Sequence, residues 1–305
     1  MKKKGANQLT ASGFIITFIG AVLFSTKAII IKKALANTDI DALSLLTLRM
    51  LFSLPFYLLA VIIAYRKAVY ARFTKKQWIR IVVLGLFGYY ISSLFDFLGL
   101  QYISAGLERL ILFLYPTFCV LINAIYFKQK VTRIQTLALL LTYTGMTIAY
   151  YGEMNVDINN PHFLLGSFLV FVCSVTYAVY IVGSGRMIPQ VGVTKFTAYA
   201  MLSATTGIFI HYLLRSNYSL FQSGNDFWIY GLLLAIIATV IPSFLISAGL
   251  KKIGSNNVAI ISSIGPVSTI IQAYYILGEK IFAEQITGTV FIIAGVLLIG
   301  WEAGK

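Results

Sequence analysis

Chemistry-bearing side chains are scarce in this sequence. Its 305 residues include two cysteines, two histidines and ten carboxylates, and charged residues of either sign make up only 11%. Cys119 and Cys173 both fall inside apolar runs, so they are expected to be small core residues, neither a disulfide nor a metal pair. His162 and His211 stand far apart with no Cys or carboxylate at ligand spacing, and no metal site is expected. No Gly-Lys-Ser/Thr phosphate loop occurs, which argues against an ATP-driven pump. Sparse acids and histidines also make a membrane-embedded enzyme the weaker reading, because proton transfer or metal chemistry needs such groups concentrated. No cofactor is implied.

What fills the chain instead is apolar: 59% of the residues, with a mean hydropathy of +0.85, far outside the range of a soluble domain. The fold class expected is an all-α polytopic membrane protein. Ten apolar runs stand at 13–31, 43–64, 79–100, 104–126, 134–152, 163–185, 194–214, 228–250, 255–277 and 284–301, each close to the ~20 residues that a ~30 Å hydrocarbon layer requires. The short alternating segments of a β-barrel are absent. The first run lacks a small-residue cleavage site and is read as a spanning helix, not a signal peptide. The net charge of +14 does not point to nucleic acid, because nearly all the Lys and Arg lie in polar gaps between the runs, where the lipid bilayer is the partner.

Orientation follows from those gaps. Seventeen Lys and Arg fall on the amino-terminal side, among them Lys2, Lys3, Lys4, Arg72, Lys75, Lys130, Lys251 and Lys305, against Lys32, Lys33, Arg215 and Lys280 on the other. The excess places both termini in the cytoplasm.

The chain also repeats itself. A shift of 150 residues, with no gap, sets Gly99 on Gly249, Pro116 on Pro266, Lys130 on Lys280, Gln135 on Gln285 and Gly145 on Gly295. Two five-helix units are expected, 1–152 and 153–305. Because five is odd, the second must enter the membrane upside down: the turn KQKVTR (128–133) is placed inside, whereas its counterpart GEKIFAE (278–284) lies outside. Inverted repeats form a path between them and open it to either side in turn, which is the architecture of a secondary transporter. One chain holds both halves, so a monomer suffices. Pro116 and Pro266, at matching positions in the fourth and ninth helices, are the expected hinges.

Charges inside the runs mark the candidate site, since each is costly there. Lys27, Arg49, Asp96, Glu108 and Arg109 each lie roughly 6–10 Å from the outer end of their helix, and so share one layer with one surplus positive charge. That layer can bind a zwitterion or an anion. Lys27 and Arg49 are expected to line the cavity; Asp96 is either the partner of Arg49 or a protonatable site for a coupling proton. Glu108 is a candidate cavity residue, or an acid favoured by the helix amino terminus. Adjacent positions point about 100° apart, so Glu108 and Arg109 are expected to face different surroundings, with Arg109 reaching towards the headgroups. Tyr89, Tyr180, Gln272 and Tyr275 are the aromatic and amide candidates for the rest of the path, and Tyr180 aligns with Lys27 when Gly13 is set on Gly166.

In each half a proline is followed about twelve residues later by a charged turn, then a Gln and a Gly-rich final helix. The second half carries Pro266, Gly278, Glu279, Gln285, Gly288 and Gly295; the first has Lys128-Gln129 in place of Gly-Glu. With ten helices in about 300 residues, the chain resembles the EamA-type members of the drug/metabolite transporter superfamily. The resemblance implies transport, in the direction of export, of a small organic solute such as an amino acid, a similar zwitterion or anion, or a drug-like amphiphile. It also implies a bacterial cytoplasmic membrane. A lipid flippase of the same fold is the alternative.

Overall fold

The computed structural model describes residues 10–66, 73–157, 161–215 and 226–302. The amino-terminal lysines, Lys67 and Arg72 of the second connection, residues 216–225 and Lys305 lie outside them. The described residues are helical, with no strand, and a helix stands at each of the ten expected places. These are α1 (Ala11–Asn37), α2 (Ala42–Arg66), α3 (Lys75–Gly99), α4 (Ala105–Ile125), α5 (Arg133–Asp157), α6 (Phe163–Val191), α7 (Val193–Arg215), α8 (226–253), α9 (255–277) and α10 (Ala283–Glu302). Between α8 and α9 the helical hydrogen bonding runs on, but Gly254 adopts φ 77° and turns the chain, a conformation open to glycine because it has no Cβ.

Among the described residues six stretches are long and apolar enough to cross a membrane: α1, α2, α3, α4, α6 and the continuous 227–261. The expectation of ten spans is thus met by helices everywhere, though with weaker membrane character in some. In α5 and α7 threonines, serines and tyrosines interrupt the apolar residues. In α9 the helix is broken.

Local sequence explains the ends. Thr74 and Gln77 form a capping box at the start of α3, and Thr132 and Gln135 exchange backbone bonds of 3.1 and 3.2 Å at the start of α5, each satisfying donors that a helix terminus leaves open. Gln285 accepts from the Phe282 N–H at 2.9 Å at the start of α10. Capping therefore accounts for the matched pair Gln135 and Gln285.

Other features recur at the same interval. A π-helical turn occupies Leu86–Ile91 in α3 and Ile236–Val240 in α8. The helical hydrogen bonding of α4 is interrupted at Phe113 and Leu114, and that of α9 at Ser262 and Ser263. Lys128, with φ 51°, stands where Gly278 has φ 71°, and the following N–H closes the same loop in each turn: Gln129 to the Asn123 carbonyl at 3.0 Å, Glu279 to the Ala273 carbonyl at 3.2 Å. The left-handed conformation that Gly278 takes freely is thus held by a lysine in the first turn.

Packing repeats too. A Cβ on Gly145 would collide with the Gly288 carbonyl, and one on Gly295 would lie 2.7 Å from the Ala138 carbonyl oxygen. Shifting Ala138 and Gly145 by 150 gives Gly288 and Gly295, so the antiparallel pair α5 and α10 meets through two equivalent contacts. Likewise Gly13 of α1 packs on Lys252 and Ile253, and Gly166 of α6 packs on Tyr102 and Ile103. Small residues let such helices approach without lipid-driven hydrophobic help. Gly145→Ala is expected to part α5 from α10 at a cost of about 1–3 kcal/mol, read as a lower unfolding midpoint in detergent; an unchanged midpoint would show that the seam has slack. Cys119 and Cys173 are free and buried.

Candidate solute site

The five charged residues inside the helices converge. Their exposures are 3% for Lys27, 1% for Arg49, 0% for Asp96 and Glu108, and 3% for Arg109. Burial at this level is costly unless charges are partnered. Lys27 Nζ of α1 lies 2.7 Å from Asp96 Oδ2 of α3. Arg109 Nε lies 3.4 Å from Glu108 Oε2, and its Nη2 donates to the Phe24 carbonyl at 3.0 Å. Arg49 Nη2 donates to Ser93 Oγ at 2.9 Å, and its guanidinium sits 5.0 Å from the centre of the Phe97 ring. The Phe24 ring serves two cations, with Lys27 at 4.8 Å and Arg109 at 5.5 Å, a contact that gains strength away from water.

Beside this cluster runs a chain of rings. Phe24 stacks on Tyr177 at 5.8 Å, Tyr177 meets Tyr115 at 5.0 Å and Tyr180 at 6.0 Å, and Tyr180 meets Tyr89 edge-on at 5.0 Å. Gly88 is what admits the last contact, since a Cβ there would strike the Tyr180 ring.

Arg109, Phe24, Tyr115, Tyr177, Ser25 and Ser262 border a cleft of about 20 Å³ between α1, α4, α6, α8 and α9. That is roughly the space of one water molecule. It lies where the interruptions of α4 and α9 face one another: Phe113 lines it from one and Ser262 from the other. The carbonyl of Leu114, at the α4 interruption, accepts from the Tyr143 hydroxyl at 3.2 Å, which meets the need for a partner in a water-poor interior. On one side the cleft is bounded by the charged cluster. Towards the start of α9, Asn123 Nδ2 of α4 donates to Ser255 Oγ at 2.9 Å and to Asn256 Oδ1 at 2.6 Å.

The sequence matches the EamA-like transporter family over residues 11–151 and again over 164–301. The chain belongs to the EamA-like transporter family. Among its relatives is the uncharacterized transporter YcbK of Bacillus subtilis (strain 168), 31% identical over 97% of this chain and 96% of that protein. The uncharacterized transporter YyaM of the same organism is 24% identical over 81% of each. A crystal structure of a protein 18% identical superposes with a TM-score of 0.75 over 97% of this chain and 98% of that one, a likeness of fold.

Within this EamA chain the structure gathers Lys27, Asp96 and Glu108 and sets Arg49, Tyr89 and Tyr180 beside them. Three details differ from expectation. Asp96 pairs with Lys27, not Arg49, because α1 brings its lysine against α3 while Arg49 finds Ser93 first. Arg109 turns inward instead of towards the headgroups. Glu108 and Arg109 meet despite their helical angle, since two long side chains can bend together about one backbone turn. The remaining candidates lie apart from the cluster. Gln272 is half-buried and bonds Ser268 Oγ at 2.8 Å, while Tyr275 is 80% exposed on the outer surface of the bundle and meets Tyr274 edge-on. Pro116 stands two and Pro266 three residues beyond the interruption of its helix, in the first turn, where a missing N–H costs least.

Sequence reasoning passed over Phe24, Ser25, Tyr115, Ser262 and the amide group of Asn123, Ser255 and Asn256. Only the last carried a signal, a polar Ser-Asn-Asn run opening an otherwise apolar helix.

Proposed function

We propose that this protein is a secondary transporter that moves a small organic solute bearing an anionic group across the cytoplasmic membrane. In this reading two five-helix units, 1–152 and 153–305, lie inverted to one another with both termini cytoplasmic, and a single chain suffices. The observation that carries the proposal is the central cleft: a buried arginine and an aromatic wall where two interrupted helices from the two halves meet. Interrupted helices at the midplane free backbone groups for a solute and let a unit bend. The recurrence of the π-turns, the interruptions and the α5–α10 contacts at 150 residues supports the two-unit reading.

Alternating access needs a closure on each side of the site. The cluster of Lys27, Arg49, Asp96, Glu108 and Arg109 suits the outer one and Asn123 with Ser255 and Asn256 the inner one. In this reading, the two sets of contacts together correspond to an occluded state. Tyr89 and Tyr180 would extend the solute path along the ring chain. No residue is assigned a catalytic step. The cation surplus around the cleft favours an amino acid, another zwitterion or an organic anion over a cationic amphiphile.

The test is a solute screen in proteoliposomes. Saturable counterflow is expected for at least one carboxylate-bearing solute, with no movement of labelled lipid between leaflets. Lipid movement without any solute counterflow would replace this reading with that of a flippase.

A further inference from the structure

A second and larger cavity lies behind the interruption of α4. Helices α5 and α6 follow one another in the chain yet barely touch among the described residues, since α5 packs mainly on α10 while α6 packs on α3 and α4. The slot between them holds about 440 Å³. Leu110, Ile111 and Leu114 of α4 form its floor, Met146 of α5 lies on one wall, and Phe168 and Phe171 of α6 on the other. Its mouth is on the outer surface of the bundle and its floor is inside: Phe168 is 62% exposed, against 2% for Leu110 and 9% for Ile111.

The lining decides what such a slot can hold. Its volume is roughly fifteen times the share of one water in the liquid, far beyond the gaps that close packing leaves. Water is poorly suited to it. The Tyr143 hydroxyl already donates to the Leu114 carbonyl at 3.2 Å and the Thr147 hydroxyl to the Tyr143 carbonyl at 2.9 Å. Of the lining hydroxyls that leaves the Ser167 oxygen, buried and without a partner among the described residues, whereas an ordered water needs two to four partners and apolar cavities stay dry. Hydrocarbon suits it better. It makes dispersion contacts with Leu, Met and Phe side chains, and in a protein of this family the mouth between two membrane helices opens on lipid tails.

The stretch of α4 that floors this slot also walls the solute cleft. Ile111 and Leu114 line the slot, Leu112, Phe113 and Tyr115 line the cleft, and the helix is interrupted between them at Phe113 and Leu114. A cleft of about 20 Å³ must widen to admit any organic solute. A wall backed by close-packed side chains could not retreat, because such packing is nearly incompressible, whereas a wall backed by a fluid chain can. We infer that an acyl chain of a bilayer lipid occupies the slot and gives way to α4 when the cleft widens around its solute. The lipid site stands on the slot alone; its yielding to α4 rests on the transporter reading above.

A photoreactive lipid tests the site without any solute. The native protein is reconstituted in phosphatidylcholine vesicles in which a fraction of the lipid carries a diazirine within its acyl chain, then illuminated, and the adducts are mapped by mass spectrometry. Adducts are expected on Leu110 and Ile111, buried side chains that lipid surrounding the bundle does not reach, as well as on the exposed Phe168. Ser167→Phe fills the slot and gives up no hydrogen bond, so it should lower the floor adducts several-fold and spare those on Leu137 and Leu140, which are exposed elsewhere on α5. Thr147→Trp fills the slot from the opposite wall and takes its place if that variant does not fold. Adducts confined to exposed residues of the native protein, or floor adducts undiminished in a folded slot-filling variant, overturn the site. For each solute that passes the counterflow screen, saturating solute is expected to lower the floor adducts, and the slot-filling variant to slow counterflow several-fold at an unchanged unfolding midpoint. Floor adducts indifferent to solute, or normal counterflow in that variant, overturn the yielding of the chain to α4. If no solute moves, the transporter reading falls and the yielding with it, and the floor adducts still decide whether the chain is there.

Discussion

Arg109→Ala is expected to abolish solute counterflow while Arg109→Lys keeps a reduced rate. Arg109 is the charged side chain bordering the central cleft, it is 3% exposed, and its Nη2 is braced by the Phe24 carbonyl. A guanidinium held in that way presents further N–H donors in a fixed plane, which suits a carboxylate. Truncating one partner of a buried, hydrogen-bonded charge pair costs about 2–5 kcal/mol, which corresponds to roughly a 30-fold to over 1,000-fold loss of affinity. Lysine preserves the charge beside Glu108 but not the planar fork, so its loss should fall mainly on the half-saturating concentration. Alanine also leaves Glu108 without its cation, and the unfolding midpoint must be measured alongside. Near-normal counterflow by a folded Arg109→Ala protein would remove Arg109 from the solute site and return attention to Lys27 and Arg49.

The largest effect on stability is expected at the other end of the cluster. Lys27→Met should destabilise the protein by about 3–5 kcal/mol, the cost of breaking a buried ion pair and leaving a charge behind. The Lys27–Asp96 contact of 2.7 Å joins α1 to α3, and Met reproduces the length of the side chain without its ammonium. Adding Asp96→Asn removes the stranded charge, so the double variant should recover most of the loss. Cys119 and Cys173 supply the readout, since both are buried and free and a thiol-reactive dye labels them only as the bundle opens. A double variant no more stable than Lys27→Met alone would show that the lysine acts through packing and not through its charge.

These expectations rest on a mixture of what could be read along the chain and what could not. All ten helices were legible, because a bilayer demands long apolar runs and the gaps between them are polar. The 150-residue interval was legible too. Pro116 and Pro266, Gln135 and Gln285, and Gly145 and Gly295 each have a local job in the structure: following an interruption, capping a helix, and letting helices touch. Such jobs depend on residue type at a fixed place, so they leave a mark in sequence. The existence of a buried charged layer could be argued from depth alone.

Pairing within the layer could not. Which cation meets Asp96, and whether Arg109 turns towards lipid headgroups or the cleft, depends on how neighbouring helices are rotated and how closely they approach. Tyr180 and Tyr275 make the same point, the one 1% and the other 80% exposed. In a soluble helix an apolar stripe would separate them, but lipid is as apolar as the core, and both faces of a membrane helix carry similar residues. By itself, then, the sequence determined the number and place of the helices, the repeat and the depth of the buried charges, because these follow from the bilayer and from local backbone chemistry. Tertiary structure alone decided the partners: Lys27 with Asp96, and Arg109 with Glu108 and the cleft. The first contact joins α1 to α3, and the cleft brings α4 against α1 and α9, helices far apart along the chain whose mutual rotation no local sequence rule sets.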